Sequence, residues 1–148
     1  MRIIKFRAWH SPTGKMYEVG RMFFGNINGA STHLRGYAYS EPNETTFITF
    51  NHLMQFTGLL DKNGEEIYEG DIVRVWRFRD DDEPALNEFS DHRVEWCGNG
   101  YPAFDLKPNY TEESNGLSHI VAGADGEWME VIGNIFEPEL LQKTGDLK

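Results

Sequence analysis

The sequence predicts a mainly β protein: a hairpin-rich β layer, then a small barrel in the C-terminal part, then a short helix. Three observations carry this expectation. Apolar residues alternate in short runs and do not recur at helical spacing over long stretches. Glycine, 15 of 148 residues, falls with Asn and Asp between those runs, where turns need it. From Phe56 onward the runs are short and closely spaced, and a small barrel is the natural way for so few strands to avoid exposed edges.

Each element follows from its residues. Ile3 to Trp9 reads as a strand, His10-Ser11-Pro12-Thr13-Gly14 as a turn, and Lys15 to Val19 as the returning hairpin partner. Gly25 to Gly36 lacks periodicity and is expected to be a loop. Thr45 to Phe50 has the β-branched and aromatic composition of a strand, while His52 to Gly58 fits either a strand or a linker. Asp61-Lys62-Asn63-Gly64 separates two apolar stretches, and Asn-Gly supplies the positive φ angles of a tight hairpin turn. Glu69-Gly70-Asp71 is a second tight spot, where Gly permits the backbone and Asp bonds nearby amides.

Ile72 to Trp76 is the strongest strand of the chain. Arg79 to Asp91 holds six acids (Asp80, Asp81, Asp82, Glu83, Glu88, Asp91) and reads as a solvated connection. Arg93 to Cys97 alternates, Gly98-Asn99-Gly100 turns, and Tyr101 to Leu106 returns. Lys107 to Ser118 is another loop, Asp125-Gly126 turns into a strand over Trp128 to Ile132, and Pro138 opens a short helix over Glu139 to Lys143. The resulting divisions are a hairpin-rich region over 1–54, a barrel domain over 55–138 and a helical tail over 139–148.

Composition narrows the function classes. The 14 basic against 24 acidic residues give a net charge of −10, which repels a phosphate backbone and argues against nucleic-acid binding. No apolar run approaches the roughly 20 residues of a membrane span. The N-terminus alternates charge with bulk and lacks the apolar core of a signal peptide, so a cytoplasmic location is expected. Cys97, the single cysteine, excludes an internal disulfide and is expected to be a buried structural residue. Twenty aromatics, each able to bury about 150–250 Å², supply much of the core.

The chemistry-bearing residues form no recognisable reaction centre. Asp61 to Glu66 fails as a calcium loop because its Gly stands at the fourth position and Ile72 occupies the twelfth. The five histidines (His10, His33, His52, His92, His119) show no metal-binding spacing. No nucleophile elbow, phosphate loop or dinucleotide fingerprint occurs. Glu69 and Asp71 form an acid pair of the kind that does general acid–base work, but they flank a turn, and turn chemistry accounts for Asp71. Trp9, Tyr68, Trp76, Trp96 and Trp128 offer a stacking platform or, more simply, core packing. Neither a cofactor nor a metal is expected.

Three blocks carry a family resemblance. Lys5-Phe6-Arg7-Ala8-Trp9, followed by Lys15-Met16-Tyr17, resembles the opening of the YopX-like proteins of phages and prophages. The run from Phe56-Thr57-Gly58 through Asp61-Lys62-Asn63-Gly64 to Tyr68-Glu69-Gly70-Asp71-Ile72-Val73 is similar to that family's signature almost letter for letter. Val131-Ile132-Gly133-Asn134-Ile135-Phe136-Glu137, then Pro138-Glu139-Leu140-Leu141, resembles its closing motif, with Glu137 where relatives carry Asn. His10 stands where relatives carry an acid, and the acidic stretch over 79–91 looks like an insertion of this member.

The resemblance implies an SH3-like barrel in the C-terminal part and a phage-encoded protein of the bacterial cytoplasm with no assigned reaction. The expected function is therefore a non-enzymatic accessory protein that binds an unidentified protein partner and forms a homo-oligomer. Its binding surface is expected to centre on Tyr68, Glu69, Gly70 and Asp71. Two alternatives stand beside this: a nucleic-acid-associated barrel, by analogy of fold alone, and a small hydrolase using the Glu69/Asp71 pair.

Overall fold

The computed structural model describes residues 3–23, 35–41, 44–49, 52–76, 89–97, 102–108, 117–118 and 128–137. The chain is mainly β, with its strands in two antiparallel sheets. It divides into two compact units, Met1–Phe56 and Thr57–Lys148.

The first unit is built on strand β1 (Phe6–His10), which pairs on one side with β2 (Lys15–Phe23) and on the other with β5 (His52–Leu60). The turn between β1 and β2 closes with Gly14 N–H and Thr13 N–H both donated to the His10 carbonyl, at 2.9 and 3.1 Å. Strand β3 (Arg35–Glu41) pairs with β2, and β4 (Glu44–Thr49) pairs with β3. The central position explains the smallest core residue. Ala8 lies between Tyr17 and Leu53 across the two ladders and is fully buried. Tyr17, Val19, Met22 and Leu53 pack around it.

Strand β5 runs on into the second unit and turns at Asp61 into β6 (Glu66–Tyr68). The second sheet consists of β7 (Asp71–Trp76), β8 (Phe89–Trp96), β9 (Phe104–Lys107) and β10 (Trp128–Asn134), in the order β10-β7-β8-β9. Side chains alternate between its faces with a period of two. Val73, Val75, Val94, Leu106 and Met129 therefore share the inner face, and with Ile67 and Leu117 they form the core, none more than 2% exposed.

Two turns hold the hairpin to this sheet. Gly64 N–H is donated to the Asp61 carbonyl at 3.0 Å with Gly64 at φ +84°. Among the described residues Cys97 alone has a positive φ without being glycine. Asn63 therefore keeps a negative φ, and only Gly64 enters the left-handed region, which corrects the expected Asn-Gly geometry. Gly70, at φ +80°, donates its N–H to the Val94 carbonyl at 2.8 Å and accepts the Ile135 N–H at 2.9 Å. One residue thus ties β8 to the segment after β10.

Several other expectations are corrected. Strand β3 begins at Arg35, within the stretch expected to be a loop, because Arg35 and Gly36 pair with Phe23 and Met22 of β2 and with Thr49 and Ile48 of β4. Strand β8 starts at Phe89, inside the stretch expected to be solvated, because Phe89 to Asp91 pair with Arg74 to Trp76. Cys97 is exposed, not buried: β8 ends at Trp96 and the chain turns there. No closed barrel is formed by the described strands, since β10 and β9 stand at the two margins of the second sheet. The loop over Gly25 to Leu34, most of the acidic connection, the Gly98-Asn99-Gly100 turn and the C-terminal helix lie outside the described residues.

Candidate functional site

The Tyr68–Asp71 turn is held from within. Asp71, 1% exposed, accepts the Tyr68 N–H on Oδ2 at 2.7 Å. Tyr68 donates its hydroxyl to Glu66 Oε2 at 2.8 Å while its ring is 8% exposed. Gly70 is also buried, and Glu69 alone of the four is half-buried. Of the acid pair, Asp71 is buried and closes the turn, while Glu69 is half-buried.

The rest of the signature follows the same logic. Asp61, 7% exposed, accepts Asn63 N–H at 2.7 Å and Glu65 N–H at 2.9 Å on Oδ1. Its Oδ2 accepts Val131 N–H at 3.0 Å, and Lys62 N–H is donated to the Met129 carbonyl at 3.1 Å. The turn thereby covers the margin of β10 with hydrogen bonds, one way of protecting a sheet edge. Thr57 donates its hydroxyl to the Ile67 carbonyl at 2.8 Å, and Asn134 accepts Phe136 N–H at 3.0 Å to shape the turn after β10.

Among the described residues an aromatic row lies elsewhere, on the outer face of the second sheet. The register sets Trp128 beside Trp76 and Trp76 beside Phe89, one row across β10, β7 and β8. Trp76 stacks on Trp128 with centroids 5.1 Å apart and contacts Phe89 at 5.1 Å. Phe89 is 46% exposed. Trp76 Nε1 is buried with no hydrogen-bond partner among the described residues.

The adjoining row on that face is ionic. Arg74 makes a two-pronged contact with Asp91, Nε to Oδ1 at 2.7 Å and Nη2 to Oδ2 at 2.8 Å. That hydrogen bonding, with the nearby charges of Asp91 and Glu130, raises the Arg74 pKa above its ordinary value against the opposing pull of burial. Arg74 lies 4.0 Å over the Phe89 ring and Lys62 lies 3.5 Å over Trp128, with Lys62 also paired to Glu130 at 2.9 Å. Both cations show that the row attracts positive charge to its ring faces. At the far end of β8, Trp96 (43% exposed) packs edge-on against Phe104.

A second arrangement, on β8, is one that the search for metal-binding histidine spacing does not find. His92, 4% exposed, has Nδ1 2.7 Å from the Pro108 carbonyl and Nε2 2.6 Å from the Ser90 hydroxyl. Ser90 and His92 are two apart on one strand, which puts them on one face; that spacing was the available signal. Among the described residues no three His, Cys, Asp or Glu side chains converge as a metal ion requires. No helix among them is long and apolar enough to cross a membrane.

Turn-closing carboxylates, left-handed glycines and a sheet with one buried and one aromatic face define a mainly β protein in which Asp61, Gly64, Gly70 and Asp71 of the sequence signature shape the turns. The chain belongs to the YopX protein family, whose model matches residues 5–142. No functionally curated protein matches the sequence. Among solved structures it is similar to the crystal structure of protein EF1440 from Enterococcus faecalis, at 27% identity over 95% of this chain and 99% of that one, with a TM-score of 0.54.

Proposed function

We propose that this protein is a phage- or prophage-encoded accessory module that acts in the bacterial cytoplasm by binding another protein, and that it does so as a homo-oligomer. The observation that carries the reading is the aromatic row Trp128–Trp76–Phe89, half-buried at its two tryptophans and exposed at Phe89, on a sheet whose other face packs the core. Contiguous exposed apolar surface rimmed by charge is characteristic of protein-binding sites, and Trp and Arg are enriched among residues that dominate such interfaces. The Tyr68-Glu69-Gly70-Asp71 turn, at the other end of β7, is a second surface on which Glu69 is the accessible contact. Membership of the YopX family supports the phage setting through the resemblance that the family's members bear to phage and prophage proteins.

We further infer that the second unit is an SH3-like barrel. Its support is the way Asp61 and Lys62 bond the margin of β10, and Gly70 bonds β8, so that the β5–β6 hairpin is fastened to the sheet at two points.

The test is capture of partners by the tagged full-length protein in its bacterial host, with mass measurement of the purified protein, for the native chain and for Phe89→Ser and Glu69→Ala. Loss of a stoichiometric partner or of self-association in Phe89→Ser, with Glu69→Ala unaffected, supports the row as the surface. Loss in Glu69→Ala alone moves the surface to the turn. A native chain that is monomeric and captures nothing overturns the binding reading.

A further inference from the structure

The geometry points to Ser90 as a reactive nucleophile for ester-type acyl groups, with His92 as the base that takes its proton. The inference is independent of the docking surface, since Ser90 and His92 lie on the opposite face of the same sheet from the aromatic row.

The argument begins with the tautomer. A backbone carbonyl has no hydrogen to give, so in the 2.7 Å contact His92 Nδ1 must donate to Pro108 O. Whenever the ring is neutral its lone pair then lies on Nε2, and the Ser90 hydroxyl, 2.6 Å away, is placed to donate to it. This is the arrangement of an activated nucleophile: a hydroxyl within reach of a base whose other nitrogen is fixed by a third group. Burial fits the division of labour. His92 is 4% exposed and held in one orientation, whereas Ser90 is exposed and can be reached from solvent. Across the ladder Ser90 faces Val75 and His92 faces Val73, so strand β7 presents no charged side chain opposite either group.

The step balances as follows. Ser90 Oγ forms a bond to the acyl carbon while its proton passes to His92 Nε2. The imidazolium keeps its Nδ1–H on the Pro108 carbonyl, whose dipole favours the added charge. Collapse of the tetrahedral adduct breaks the bond to the leaving alkoxide, which takes the proton from Nε2 and departs as an alcohol. Water then repeats the sequence on the acyl-serine, giving a carboxylic acid and the original hydroxyl.

The experiment exposes the full-length protein to a fluorophosphonate probe and follows its intact mass, with a known serine hydrolase in the same tube as control. Attack by Ser90 forms an oxygen–phosphorus bond and releases fluoride. The expected result is one adduct, mapped to Ser90, absent in Ser90→Ala and formed about 100-fold more slowly in His92→Asn, the scale of lost general-base help. Asn is chosen because its amide retains a donor for Pro108 O but offers no base. No adduct on the native chain while the control is fully labelled overturns the proposal, and so does labelling of His92→Asn at the native rate.

Should His92→Asn fail to fold, as read by its circular dichroism, Ser90→Cys supplies the decision. The introduced thiol is expected to react with iodoacetamide at pH 7 about tenfold or more faster than the exposed Cys97 of the same molecule, because a neighbouring imidazole favours the thiolate. Equal rates overturn the assignment.

Discussion

Replacing Asp61 tests whether the family signature is structural. Its carboxylate receives three backbone N–H groups, from Asn63, Glu65 and Val131. A hydrogen bond to a charged acceptor contributes about 1.5–3 kcal/mol when sheltered and about 1 kcal/mol when its donor can turn to water. All three contacts here are partly buried, so about 1 kcal/mol each is the appropriate figure, and Asp61→Ala is expected to cost about 3 kcal/mol in total. Asp61→Asn keeps an oxygen for the two turn amides but sets an N–H against Val131 N–H, and should cost about half as much. Against a total stability of about 5–15 kcal/mol the alanine loss is large.

Urea unfolding followed by tryptophan fluorescence measures it, since Trp76, Trp96 and Trp128 all lie in the second unit. The melting temperature should fall by roughly 6–12 °C at this chain length. An Asp61→Ala protein within about 0.5 kcal/mol of native, at unchanged dependence on urea, would refute the reasoning, because surface changes fall in that range.

Other perturbations follow from neighbouring features. Gly64→Ala meets no atom within 4 Å but keeps a φ of +84°, so it should destabilise by about 1–2 kcal/mol through backbone strain alone, measured in the same urea experiment. Ile67→Ala empties a fully buried core position and should cost about 2–5 kcal/mol; chemical denaturation reads it directly. Cys97 is exposed with φ +59°, so Cys97→Gly should raise stability by up to about 1 kcal/mol, and the native thiol should react at once with a disulfide reagent without denaturant. Arg74 has a raised pKa, owed first to its hydrogen bond with Asp91. Its stabilising contribution is therefore fully present below the unfolded value and lost only as pH rises through the folded one. A double-mutant cycle on Arg74 and Asp91 should give the same coupling at pH 7 and pH 9.

What could be read ahead of the structure was what is encoded locally. The β1–β2 hairpin, the turn at Asp61 and the strand from Ile72 to Trp76 all declare themselves within a few residues, through alternation or through Asn, Asp and Gly. Strand β3 did not, because its own Gly36 and the glycine-rich stretch before it read as loop, whereas pairing with β2 on one side and β4 on the other decides its conformation. The start of β8 was hidden for a related reason: charge suggested solvent, yet Asp91 is occupied by Arg74 across the ladder. Cross-strand register was the part with no local signal. Trp76 and Phe89 are thirteen positions apart and Trp128 is far beyond both, so nothing in their spacing announces one row.

The same register explains why Trp76, Trp128 and Phe89 lie outside the core of the second unit. Trp76, Arg74 and Ile72 share one face of β7, while Val75 and Val73 share the other. The inner face carries Val73, Val75 and Val94 with Leu106 and Met129, Val75 standing opposite Met129 and Val73 opposite Val131, and Ile67 and Leu117 complete the set. A row of three rings cannot enter that layer without overpacking it. It is left outside, where Lys62 and Arg74 lie over its rings and Glu130 and Asp91 hold those cations in place. The cations make the row compatible with water, but Phe89 remains nearly half open, and covering it is what a partner would contribute.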